Sequence, residues 1–252
     1  VELLKSASAA LQRHFSSVLI YLCFTAVLSL SGSALVIAQT LQNLNPDVDP
    51  TLASNVVRIC WFTVASAITA IAQCIVFSRV GREIDRPLWK VRDDREAFGR
   101  FYMMWFEFNL VTNTVYWIAN TPFGSGEIEA VNVMALFTAW LLAVILVPFG
   151  ACQMFLGSFS WPTFGAGLGP LTRRPADFAP VFAITIVQCL FATYVGVLTQ
   201  PHGAETSGLA LLAVARLACD LAIAYLDCLV FAAVWLICKT DRDSPDEIDL
   251  DF

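Results

Sequence analysis

Charge is what this chain has least of. Only 14% of its 252 residues are Asp, Glu, Lys or Arg, against about 25% in an ordinary soluble domain. With 58% hydrophobic residues and a mean hydropathy of +0.68, the composition points to lipid as the solvent. The other absences remove whole chemistries. No long apolar run contains a Lys, which excludes a retinal-type Schiff base. The only histidines, His14 and His202, fall near opposite membrane faces, so bis-histidine haem has no ligands. There is no HExxH and no GxSxG, no CxxC or Cys/His cluster with zinc spacing, and no GxxxxGK[ST] for a phosphate. The net charge of −6 offers no basic face to nucleic acid. The expectation is therefore no cofactor, no metal site and no nucleic-acid partner. A nucleophile/base set is missing too, which disfavours an intramembrane enzyme. The first residue is Val, as at an internal start or a processed end, and the first apolar run is too long for a signal peptide.

Cysteine is plentiful by comparison, with eight residues, all in apolar segments and none in an outer loop. That placement reads as small hydrophobes packed between helices, not as a disulfide framework.

What is present is a series of apolar runs. A spanning helix needs about 20 of them in a row, and six segments qualify: residues 15–39, 54–78, 100–121, 130–154, 179–199 and 208–238. The fold class expected is an all-α polytopic transmembrane bundle of six spans. Residues 1–14 carry Leu4, Ala7 and Leu11 on one helical face and read as an interfacial segment. Residues 15–238 form the membrane domain, and residues 239–252 an acidic tail. Basic residues set the orientation. Residues 79–100 hold seven Lys or Arg, and residues 156–178 hold Arg173 and Arg174. Residues 40–53, 122–129 and 200–207 hold none. The N- and C-termini join the basic loops, so both ends belong on the cytoplasm-equivalent side.

Ionisable groups inside hydrocarbon cost about 2.5–3.5 kcal/mol each at mid-span on insertion scales. They are the first place to look for function. In the sixth span Arg216, Asp220 and Asp227 are four and seven residues apart, within about 40° of one stripe at 100° per residue. That stripe is expected to face the bundle. Arg216 and Asp220 have i,i+4 spacing for an ion pair, and Arg58 in the second span is a further partner by depth. Asp227 lies near mid-membrane with no cation at its own level. In the third span Glu107 shares one face with Arg100 and Thr114, while Asn109, Asn113, Tyr116 and Asn120 form a nearly opposite polar stripe. A helix polar on two sides should be central. Gln73, Gln153 and Gln188 add one amide to each of three other spans.

Two functions fit. In the first, Glu107, Asp220, Asp227, Asn109 and Asn113 make a polar path for protons or cations, as in a transporter or channel component. In the second, the chain is a non-catalytic membrane subunit or scaffold. Its cytoplasmic loops and its tail, where Ile248, Leu250 and Phe252 alternate with acids, would dock a protein partner along residues 241–252. A water-accessible cavity reaching Asp227 would favour the first, and a dry bundle the second.

Overall fold

The computed structural model describes residues 2–43, 51–85, 90–120, 128–157, 159, 165, 167–198 and 206–243. These residues form eight helices: α1 (Glu2–Arg13), α2 (Phe15–Asn43), α3 (Thr51–Ile84), α4 (Asp94–Asn120), α5 (Ile128–Leu156), α6 (Gly169–Arg173), α7 (Pro175–Leu198) and α8 (Thr206–Asp243). The all-helical class follows from the solvent. Hydrocarbon supplies no partner for a backbone N–H or C=O, so each run must satisfy its own.

Five helices are long and apolar enough to cross a membrane, over Phe15–Ala38, Val56–Ile84, Asn132–Leu156, Pro175–Val195 and Ala210–Asp243. The segment missing from the expected six is α4. Its 27 residues are long enough, but Asp94, Arg95, Glu96, Arg100 and Glu107 with three asparagines dilute its apolar character.

Contacts along the helices give their directions. From α3 to α4, Arg79 meets Asp94, Gln73 meets Asn109 and Ser66 meets Asn113, so the two run antiparallel over most of their lengths. Arg100 and Trp105 of α4 meet Gly157 and Met154 at the end of α5, again antiparallel. Phe77 stacks on Phe231, and Asp85 pairs with Arg242, so α3 and α8 run parallel. Helix α1 lies against the bundle through the fully buried Ala7 and Leu11.

Helix boundaries exceed the apolar runs at the basic end. Helix α3 continues to Ile84 and α8 to Asp243, and α4 begins at Asp94. Polar residues prolong these helices where they leave lipid. Helix α5 ends at Gly157, whose φ of 78° lies in the left-handed region that glycine enters at least cost. Its amide donates to Met154 O at 2.9 Å, and its own carbonyl accepts from Arg100 at 2.6 Å. Pro175 opens α7, and Pro180 lies inside it.

The core is densest toward the basic end. Phe77, Phe101, Met104, Trp105, Phe231 and Trp235 are all at most 1% exposed. Phe77 stacks on Phe231 with centroids 4.4 Å apart and meets Trp105 edge-on at 5.3 Å. This aromatic layer divides the bundle into a charged end and a polar interior.

Candidate functional site

The charged end holds three carboxylates clasped by cations. Asp85, with a side chain only 2% exposed, takes Arg242 at 2.8 Å and Lys239 at 3.7 Å, tying α3 to α8. Asp94 accepts from Arg79 at 2.9 and 2.6 Å and from Arg82, tying α4 to α3. Burial alone would raise the Asp94 pKa, but the hydrogen bonds and charges of Arg79 and Arg82 hold it below the usual carboxylate value. Asp241 accepts from Arg173 at 2.6 Å. None of these pairings was visible in the sequence, because a single chain does not show which loop charges face each other.

Beyond the aromatic layer lies a cavity of about 210 Å³ between α3, α4, α5, α7 and α8. Its polar lining includes Gln73, Asn109, Thr112, Asn113, Gln188 and Asp227. Asp227 is partly exposed there. It stands eleven residues from Arg216 and twelve from Lys239, about 17 and 18 Å at 1.5 Å per residue. That is near the middle of the apolar stretch Ala210–Asp243.

The hydrogen bonds around Asp227 have a fixed direction. Asn109 Nδ2 donates to the Trp105 carbonyl at 2.7 Å. A carbonyl can only accept, so the Asn109 amide orientation is set. The same NH₂ donates to Gln73 Oε1 at 2.7 Å. Tyr21, 4% exposed, lies beside Gln73 and Asp227. From the other side Gln188 Nε2 donates to Asp227 Oδ1 at 3.0 Å and to the Ile223 carbonyl at 3.1 Å. Asn113 Nδ2 donates to Ser66 Oγ at 2.9 Å. Hydrogen bonds thereby join α3 to α4 and α7 to α8 beside the cavity. The contribution of α5 is Ala143, Leu146 and Val147, a wholly apolar wall.

The sequence-derived residues separate. Asp227, Asn109 and Asn113 meet at the cavity. Asp220 lies two turns away along α8, outside the lining, and Arg216 approaches it only to 3.9 Å with a side chain 48% exposed. The stripe of Arg216, Asp220 and Asp227 therefore turns inward at one end only. Arg58 is exposed on α3. Glu107 is partly exposed on the outer stripe of α4, beside the exposed Met103 and Val111, and does not line the cavity. Of the acidic tail, Asp241 to Asp243 continue α8, and Asp241 and Arg242 pair with the bundle itself. Ile248, Leu250 and Phe252 lie outside the described residues. Tyr21, beside Asp227, is a neighbour that sequence reasoning missed, and its signal was a phenol inside the first apolar run.

Among the described residues no group of three or more His, Cys, Asp or Glu could hold a metal ion. No family model, curated protein or solved structure matches the chain.

Proposed function

We propose that this chain crosses the membrane six times and moves a proton or a cation through the bundle, with Asp227 as the group that holds it. Helix α4 is the sixth crossing. It is antiparallel to α3 from Asp94 to Asn113, so it traverses the same slab as its apolar neighbour. The two polar faces seen in its sequence suit that place. One faces Gln73 and Ser66, and the other carries Glu107.

The observation that carries the function is the cavity reaching Asp227 at mid-membrane. A carboxylate kept only for packing would be enclosed by its hydrogen-bond partners. This one accepts from Gln188 and still opens on about 210 Å³, room for several waters at about 30 Å³ each. Trp105, part of the buried aromatic layer, forms one wall of the cavity. Orientation follows the basic loops, with both termini on the cytoplasm-equivalent side.

Glu107 favours a second reading. A carboxylate on an outward face at mid-span costs about 2.5–3.5 kcal/mol in lipid, and a neighbouring chain would remove that cost. A scaffold subunit would need Glu107 and could dispense with the Asp227 charge.

The test is Asp227→Asn in purified protein reconstituted into liposomes carrying a pH-sensitive dye, with proton, Na⁺ and K⁺ fluxes followed under an imposed potential. Asn keeps the size and hydrogen-bonding capacity but cannot ionise. Flux should fall at least tenfold in a variant that elutes and inserts as the wild type does. Undiminished flux in the variant, or none in the wild type, would return the chain to the scaffold reading.

A further inference from the structure

The hydrogen-bond directions around the cavity specify what it can bind. Most of the amide N–H groups in the lining are spent on the protein. Asn109 gives its protons to Gln73 and to the Trp105 carbonyl. Gln188 gives its protons to Asp227 and to the Ile223 carbonyl. Asn113 donates to Ser66. What these groups leave over are acceptors. Among the described residues nothing donates to Asn109 Oδ1, Asn113 Oδ1 or Gln188 Oε1. Asp227 adds a carboxylate with lone pairs beyond the one used by Gln188. Thr112 adds a hydroxyl with no hydrogen-bond partner. A cavity rich in acceptors with one formal negative charge selects a donor carrying one positive charge.

The walls narrow the choice further. Divalent ions take six to eight oxygens, usually with several carboxylates, and this cavity has one. An alkali ion also needs oxygens on all sides, whereas α5 presents only Ala143, Leu146 and Val147, and α7 adds Ala192. Half of such an ion's shell would be hydrocarbon. A bare ion would also leave most of about 210 Å³ unfilled. Yet that volume lies below the roughly 300–1,000 Å³ of sites for drug-sized ligands. The lining also includes the aromatic rings of Trp105 and Phe108, and an aromatic face attracts a cation.

We infer that the cavity binds a small primary organic ammonium, its head on Asp227 and the amide oxygens and its alkyl body on the α5 wall. The inference rests on the transport reading only in naming its cargo. The site and its ligand class stand on the cavity alone.

The probe is n-butylammonium chloride, added to purified protein in detergent while thermal unfolding is followed. Binding to the folded state alone raises Tm by about 3–6 °C at ten times the Kd for a chain of this size. That rise is expected to saturate, and to be absent with n-butanol, which has the body without the charge, and with NaCl or KCl at the same ionic strength. Asp227→Asn should abolish it. Should Asp227→Asn fold poorly, Val147→Phe, which narrows the apolar half, should reduce the butylammonium shift at least threefold. Stabilisation by Na⁺ or K⁺ but not by butylammonium would overturn the inference, as would equal shifts with butanol or in the Val147→Phe protein. In liposomes, butylammonium binding without any flux would sink the transport reading and leave the site. Proton or alkali flux without butylammonium binding would do the reverse.

Discussion

Gly81 sits where α3 meets the indole of Trp235, and replacing it with Ala tests the packing of the aromatic layer. A Cβ built there would lie 2.7 Å from both Cη2 and Cζ2 of Trp235. Carbon atoms in contact prefer about 3.5–4.0 Å, so the overlap is about 1 Å. Neither side can yield cheaply. The Cβ is fixed to a helix backbone, and Trp235 is wholly buried between Phe155 and Phe231, 5.1 and 5.3 Å away by centroid. Overpacking of this kind costs about 1–3 kcal/mol. Ala in place of Gly inside a helix returns about 0.5–1 kcal/mol. The net expectation is a loss of about 1–2 kcal/mol, or roughly 2–8 °C in Tm for a chain of this size. Gly99 supplies the control. It lies within α4, and a Cβ there meets nothing within 4 Å, so Gly99→Ala should stabilise by about 0.5–1 kcal/mol. Thermal unfolding in one detergent compares the two. In a Trp235→Phe background the smaller ring should accept the methyl, and Gly81→Ala should change sign. If Gly81→Ala is as stable as the wild type, the close approach of α3 and α8 is wrong. If it destabilises equally with Phe at position 235, Trp235 is not its cause.

Removing both cations from Asp85, as Lys239→Ala with Arg242→Ala, should cost about 3–5 kcal/mol by leaving a buried charge unpaired, and either change alone distinctly less. Denaturant titration of the three variants would show whether they share that partner. Because the Asp94 pKa is lowered on folding, its contribution should be complete above its unfolded pKa of about 3.9 and vanish as pH falls through the folded value. The stability gap between wild type and Asp94→Asn should therefore be flat from pH 5 to 7 and begin to shrink as pH falls below about 4, and a gap that does not depend on pH contradicts the pairing. Cys152 and Cys238 have their sulfurs 3.6 Å apart across α5 and α8. Diamide, which takes up the two protons and two electrons released, should join them in membranes. Peptide mass spectrometry that finds both thiols free after treatment would argue against the α5–α8 packing.

Five spans were legible because a hydrocarbon solvent writes itself into composition. Helix α4 was legible as a helix from its apolar run over residues 100–121, but charges at its start and asparagines along its length leave it less apolar than the other five. Asp227 could be found by depth alone, and Asn109 and Asn113 by their shared stripe. What could not be read was the rotation of one helix against another. That rotation puts Tyr21 beside Gln73 and Asp227, turns Glu107 outward, and leaves Arg216 half in the surroundings. It also decides which loop cations reach Asp85, Asp94 and Asp241. These are three-body facts, and one sequence records only two-body ones: which residue, and how far along.

The contact between Asn109 and Gln73 cannot pass a proton to the cavity. Asn109 gives its amide protons to the Trp105 carbonyl and to Gln73 Oε1. In an amide the accepting oxygen and the donating nitrogen are different atoms, so passage would require an imidic acid at Asn109 and another at Gln73. The pair is an insulator that fixes polarity. Whatever charge exchanges with Asp227 must arrive through the cavity as a whole particle, a hydrated proton or a cation.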